Sequence, residues 1–271
     1  FAQQKGEIRP NIVFLFADDL GWADVSTNKT TMGNGSRTYY TPNIDRIATE
    51  GMSFTNAYTQ QNCSPSRAAL ITGQYATGVD NGVYNVTSLD RADNRTEGYP
   101  NLPIIPYNQR SSIPSDAFTI WDMLKTQGYF TALVGKSHGL SSPINVGDYG
   151  LDIPGHIKHI IKDKVNGQNE ESHYLAINAD NLGWTFKSDY IDKYAPPYNQ
   201  QYIDEILDPF KTQSDLSVLQ GTAKHMTDAI GDFSVDIIKE KAAGDNPFFL
   251  YVPFHAVHTN GWKLGSVNWP I

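Results

Sequence analysis

The sequence holds a single cysteine in 271 residues, Cys63. No intrachain disulfide is open to it, and cysteine usage says nothing about redox compartment. Long apolar runs are missing too. None approaches the roughly 18 residues that a membrane span requires. No signal peptide is visible, and the chain opens at Phe1 instead of Met, as expected of a processed or trimmed product. Positive charge is in short supply: 21 Lys and Arg stand against 29 Asp and Glu, for a formal net charge of −8. That balance argues against a nucleic-acid partner. It leaves an anionic small substrate open, because a local cluster of metal, Arg and Lys can outweigh distant surface charge.

What is present is a globular composition, 39% hydrophobic and 18% charged. A chain of this length buries one large core or two small ones. Asn, Tyr, Ser and Thr are plentiful, as in a polar secreted domain. Asn-x-Ser/Thr triplets begin at Asn28, Asn34, Asn85 and Asn94. In an Asn-rich chain most such matches are accidental.

Three apolar runs have strand length: Asn11 to Phe16, Tyr129 to Val134 and Pro247 to Val252. Such runs suit strands buried on both faces of a parallel sheet. Each is followed at once by polar residues: Asp18-Asp19, then Lys136-x-His138, then His255 and His258. In open α/β sheets, ligands bind beyond the carboxyl ends of the strands. Two adjacent carboxylates repel unless a cation sits between them, and a hard divalent cation suits such oxygens. Equally, one Asp caps the next turn and the other is solvated. Lys136 and His138, taken singly, are more often a surface lysine and a satisfied loop histidine.

Helical signals lie between the strands. Thr41 caps a segment with Pro42 in its first turn, Ile44, Ile47 and Ala48 on one face, and Gly51 at its exit. Residues 52–58 then alternate as a short strand. Thr119 to Gln127 reads as a capped helix ending at Gly128, and Thr222 to Lys241 repeats apolar residues at helical spacing. Residues 74–116 form a long loop region, either a pocket wall or surface decoration. Tyr149 to Gly155 is a turn-rich strip. Residues 156–220 read as a variable insertion with small elements, and His156, His159, His173 and His225 as ordinary histidines.

Cys63 opens a loop-to-helix junction, Gln61-Asn62-Cys63-Ser64-Pro65-Ser66-Arg67-Ala68-Ala69-Leu70-Ile71-Thr72-Gly73. A cysteine there faces the positive end of the helix dipole, which favours a thiolate or another anion. Arg67 lies about one turn on and reaches the same anion. A lone free cysteine is otherwise most often a buried structural one.

Cys63-Ser64-Pro65-Ser66-Arg67, followed by Leu70, Thr72 and Gly73, resembles the signature of type I sulfatases, within the alkaline phosphatase-like superfamily. Residues 41–58, Gly128-Tyr129 with Gly135-Lys136-x-His138, and the strip at 149–155 are similar to that family as well. Ser137 stands where an aromatic residue is usual, Gly139-Leu140 where Leu-Gly is commoner, and Val257 where many members have Pro. The resemblance implies an α/β fold with a mostly parallel central sheet and helices on both faces. It implies that Cys63 is oxidised to formylglycine by dedicated generating machinery during synthesis. The hydrated aldehyde is the nucleophile, Arg67 braces it and His138 hydrogen-bonds it. Lys136 and His258 bind sulfate, His258 also protonating the leaving oxygen, and His255 lines the pocket with lower rank. One calcium ion is held by Asp18 and Asp19, with the position-63 side chain completing that metal set.

The activity so implied is hydrolysis of sulfate monoesters, with a sulfated carbohydrate as the expected substrate. Two alternatives stand beside it: a phosphonate or phosphate ester hydrolase of the same superfamily, and a catalytically silent binding module. Secreted or periplasmic location is expected, or lysosomal in a eukaryotic host. The family carries a further metal-binding pair and a further lysine downstream of the His258 motif. Residues 1–271 are therefore expected to form an N-terminal catalytic domain that is incomplete at its C-terminal end. Asp180-Asn181 and Asp245-Asn246 precede or enter the last strand and are expected to be decoys for that pair.

Overall fold

The apolar runs become adjacent strands. The structure, a computed structural model, describes residues 9–27, 35–76, 82–83, 110, 112–141, 144, 146–157, 162–165, 168–171, 196–207, 216–221 and 224–258. The strands are β1 (Ile12–Phe16), β2 (Phe130–Lys136), β3 (Ile153–Ile157), β4 (Lys162–Val165), β5 (Gln168–Glu171) and β6 (Phe248–Pro253). Four of them make one sheet in the order β1-β6-β2-β3, and every pairing in it is parallel. β4 and β5 form a separate antiparallel pair.

The α-helices of seven or more residues among those described are α1 (Pro42–Glu50), α2 (Cys63–Thr72), α3 (Ile120–Thr126) and α4 (Met226–Ala242). Side chains on the central strands alternate between two cores, as the strand period demands. Ala132 and Val134 of β2, with Phe248, Leu250 and Val252 of β6, pack with Ala229, Ile230, Phe233 and Ile237 of α4. Leu133, Phe249 and Tyr251 turn the other way, into a core with Ala68, Ile71 and Trp121 from α2 and α3. Helices thus cover both faces of β2 and β6. The result is an α/β fold with a parallel central sheet, as expected.

Local chemistry explains the helix ends. Thr119 and Asp122 form a reciprocal capping box at α3. α4 starts at Met226, later than the Thr222 expected from periodicity, because His225 caps it: its Nδ1 accepts from Thr227 N at 3.2 Å. α2 ends at Gly73, in the left-handed region at φ +69°.

Several expectations are corrected. β1 is not buried on both faces among the described residues: Leu15 is 54% exposed. α1 forms as expected but buries no side chain, and Ile47 is 60% exposed. Thr41 makes no side-chain cap there; its hydroxyl instead accepts from Ser26 N at 2.8 Å. Residues 52–58 form no strand, with Phe54 76% exposed. Alternation needs a neighbouring strand to satisfy it, and the described residues offer none. The strip at 149–155 holds the start of a strand that its Pro154-Gly155 disguised; among the described residues β3 lies at the sheet's edge, where proline is tolerated. Most of 74–116 and 156–220, with Asn28, Asn34, Asn85 and Asn94, lies outside the described residues.

Gly135 fixes how closely β2 and β6 approach. Its φ is +134°, and a Cβ there would lie 2.1 Å from the Pro253 carbonyl oxygen. Gly231, inside α4, has nothing within 4 Å of its Cβ position. Gly135→Ala is therefore expected to destabilise by about 3 kcal/mol or more. Gly231→Ala should stabilise by about 0.5–1 kcal/mol. Urea denaturation of the two variants checks the opposite signs.

Candidate active site

The sheet delivers its polar residues to one edge. Beyond the β1 and β6 ends the backbones stay paired: Phe254 N donates to Phe16 O at 2.8 Å, Asp18 N to Ala256 O at 2.9 Å and Val257 N to Asp18 O at 2.8 Å. Asp18 and Asp19 are thereby set against residues 254–258. β2 runs through Lys136 itself, so the lysine ends a strand instead of opening a loop. The chain then turns at Gly139, φ +95°, where a Cβ would come within 3.1 Å of the Ser64 carbonyl oxygen. This close pass lays His138 over the first turn of α2.

α2 supplies the rest. Asn62 is its N-cap and Cys63 its first residue. Ser66 Oγ donates to Asn62 O at 2.7 Å and to Gln60 O at 3.0 Å, tying the preceding loop to the helix. Cys63 Sγ lies 3.1 Å from His138 Nδ1. One turn on, buried Arg67 donates from Nη2 to Asp18 Oδ1 at 3.1 Å. Its Nη1 reaches the Lys136 carbonyl and the Tyr251 hydroxyl, each at 3.4 Å. The guanidinium also lies over the Phe16 ring, 5.0 Å from its centroid. Lys136 Nζ donates to the other Asp18 oxygen.

Asp18 is 2% exposed. Burial works to raise its carboxyl, but Lys136 and Arg67 outweigh that and hold it below the usual 3.8. Burial pulls Lys136 below the ordinary lysine value against the attraction of Asp18. One carboxylate against two cations leaves this corner with a positive balance, which suits an anion.

The cysteine behaves differently from the helix-dipole expectation. Burial pushes its thiol above the ordinary 9.0, although Lys136 pulls the other way. His138 is pushed down to about 4, by burial first and then by Lys136 and Arg67. At neutral pH the contact is a neutral thiol beside a neutral imidazole. Unmodified, Cys63 is a weak nucleophile here.

The two remaining histidines separate. His255 is buried. His258 is half-buried, its Nε2 lying 3.7 Å from Asp19 Oδ2, and its N donates to His255 O at 2.9 Å. Asp19 is more open and has a left-handed φ of +57°. The structure thus gathers Asp18, Cys63, Arg67, Lys136 and His138 tightly, with Asp19 and His258 beside the same strand ends. Phe16 and Tyr251 were not singled out from sequence. A tyrosine in an apolar strand just ahead of His255 was the available signal for Tyr251. Asp245 and Asn246 are exposed and enter β6 at its far end. Asp180, Asn181, His159 and His173, together with the side chain of His156, lie outside the described residues.

Asp18 and Asp19 are hard oxygen donors, right in kind for a divalent cation. They are short in number, since calcium takes about six to eight oxygens. Among the described residues no group of three His, Cys, Asp or Glu is arranged to hold a metal.

The Sulfatase family model matches residues 10–264. A sulfatase of Formosa agariphila is 45% identical over 253 residues, covering 93% of this chain and 45% of that protein. An N-acetylgalactosamine-6-sulfatase of Mus musculus is 31% identical over 251 residues, covering 92% of this chain and 40% of that protein. The crystal structure of Ps i-CgsB in complex with k-i-k-neocarrahexaose matches with a TM-score of 0.51 and 25% identity, over 93% of this chain and 46% of that one. The chain spans less than half the length of each of these three proteins.

Removing the Asp18 charge leaves two buried cations facing each other. Asp18→Asn is expected to cost about 3–5 kcal/mol, whereas Asp19→Asn at its open position should stay within about 0.5 kcal/mol; thermal and urea unfolding read both. The unmodified Cys63 thiol should react with iodoacetamide at least about tenfold more slowly than a free cysteine peptide at pH 8. Timed alkylation followed by mass spectrometry measures that ratio.

Proposed function

This chain belongs to the sulfatase family, and from that premise we propose that it hydrolyses sulfate monoesters of a sulfated carbohydrate. The observation that carries this reading is the contact of Cys63 with His138 beside the Asp18–Lys136–Arg67 cluster. Once Cys63 is converted to formylglycine by machinery acting during synthesis, its hydrated aldehyde supplies the oxygen nucleophile that a buried neutral thiol does not.

The chain's own residues divide the remaining work. Arg67 braces the position-63 side chain; its Nε is buried without a hydrogen-bond partner among the described residues and has a donor to offer an added oxygen. His138 holds the same side chain by a hydrogen bond. Lys136 and His258 bind the sulfate oxygens, and His258, half-open beside Asp19, protonates the leaving oxygen. His255 lines the wall. Asp18 and Asp19, with the position-63 side chain, would hold one divalent cation, calcium in this reading, which would stabilise negative charge on the sulfate. Further ligands have to come from outside the described residues.

A sugar substrate is supported by the relatives, one named N-acetylgalactosamine-6-sulfatase and one solved in complex with k-i-k-neocarrahexaose. No helix among the described residues is long and apolar enough to cross a membrane. A secreted or periplasmic site, or a lysosomal one in a eukaryotic host, accords with the polar composition.

Intact-mass analysis of the Cys63 peptide from the native host is expected to show formylglycine; an unmodified thiol would favour a silent module. Turnover of sulfate monoesters should exceed that of matched phosphate monoesters and phosphonate esters, and the reverse order would reassign the chemistry. Cys63→Ala should abolish turnover with the fold intact by circular dichroism. Arg67→Lys, which keeps charge but loses the planar fork, should lower it about 100-fold or more.

A further inference from the structure

The turn that carries His138 is held from its outer side by one buried phenol. β2 ends at Lys136, and Leu140 N donates to Ser137 O at 2.9 Å, closing a tight turn around His138. On the inner side this turn passes the first turn of α2, where Gly139 comes close to the Ser64 carbonyl. On the outer side Ile113 N donates to Gly139 O at 2.9 Å. Ser141 N donates to the Tyr149 hydroxyl at 2.9 Å.

That hydroxyl has its bonds fixed in direction. It donates to the Ile113 carbonyl at 2.9 Å, since a carbonyl only accepts. A phenol has one proton to give. In the 2.5 Å contact between the two hydroxyls, Ser141 Oγ is therefore the donor. One oxygen thus joins residues 113, 141 and 149. Burial pushes the Tyr149 phenol above the ordinary 10.0, so it keeps its proton at neutral pH. The backbone is committed as well. Tyr149 has a left-handed φ of +56°, and Thr119 Oγ1 donates to its carbonyl at 2.8 Å. A tyrosine rarely takes that conformation, and it persists where the surroundings over-determine it. The other non-glycine residue with positive φ among those described is Asp19, at the site itself. Packing does not account for the hydroxyl. The ring fills a core with Ile113, Leu140 and Leu151, and phenylalanine would fill the same space.

We infer that Tyr149 is a positioning residue for His138: its hydroxyl fixes the exit of the 137–141 turn, and with it the place of the imidazole against the position-63 side chain. The consequence for turnover rests on the sulfatase reading; the positioning does not. His138 bonds the nucleophile and not the sulfate, so loosening its turn slows the chemical step and spares substrate binding.

Amide exchange, alkylation and kinetics test this together. In the unsubstituted chain the residue-141 amide should exchange at least about 100-fold more slowly than in an unstructured peptide. Tyr149→Phe should speed that exchange at least about tenfold. In protein with unmodified Cys63 it should speed alkylation by iodoacetamide at least about threefold, because the shielding turn opens. In converted protein, kcat per formylglycine counted by intact mass should fall at least about tenfold, with KM within about twofold. Ser141→Ala, which keeps the backbone donor and the bond to Ile113, should fall between Tyr149→Phe and the unsubstituted chain in each readout. Ile237→Val, which thins the core on the other face of the sheet, should leave exchange, alkylation, kcat and KM within about twofold. Four results overturn the inference. One is free exchange at residue 141 in the unsubstituted chain, which needs no variant to fold. A second is exchange and alkylation indifferent to Tyr149→Phe. A third is an equal loss of kcat in Ile237→Val, meaning general destabilisation. The last is a rise in KM with kcat unchanged. An unsubstituted, converted enzyme that turns over no sulfate ester defeats the proposed function instead, and the exchange and alkylation results still decide the positioning.

Discussion

The Asp18 carboxylate, shared between Lys136 and Arg67, is the contact on which the site depends. Its three members come from the end of β1, the end of β2 and the first turns of α2. Each is buried, and none could remain so alone, because an isolated charge in the interior costs far more than any packing gain nearby returns. Such a cluster adds little to net stability against a well-packed apolar alternative. What it does is set register: only one seating of α2 on the strand ends satisfies both cations at once. Arg67 extends the constraint to β6 through Tyr251 and the Phe254 carbonyl.

That constraint also sets the state of the reactive position. A helix N-terminus with lysine nearby would depress a cysteine in water, yet burial wins here and Cys63 stays protonated beside an unprotonated His138. The positive balance of the corner is committed first to Asp18. A buried neutral thiol is a weak nucleophile, so the neutral contact favours the proposed aldehyde reading over a thiolate one.

Much of this was legible in the sequence, for reasons that can be named. Phe14, Leu133 and Leu250 sit in apolar runs whose strand character needs no tertiary information, and the polar residues straight after them mark a sheet edge. Thr119 and Asp122 announce a helix start through their own hydrogen bonds. The failures share a cause: they depended on something remote. Whether Leu15 or Ile47 is buried is decided by what lies across from it, not by its own spacing. Pro154-Gly155 looked like a turn because the tolerance of an edge strand for proline appears only once the order of strands is known. The thiol was misjudged because burial is a property of the whole fold, whereas the dipole is local.

Among the described residues, the order β1-β6-β2-β3 places the strand latest in sequence between the first two. A ribosome delivers β1, Cys63 and β2 long before β6 exists to join them. Arg67 waits 184 residues for Tyr251, which at common synthesis speeds is roughly 10–40 s. Throughout that interval the thiol sits on chain that still lacks its β6 neighbours. For the modification proposed at position 63, the arrival of β6 would close the site around the thiol, so strand order would act as a clock on that step.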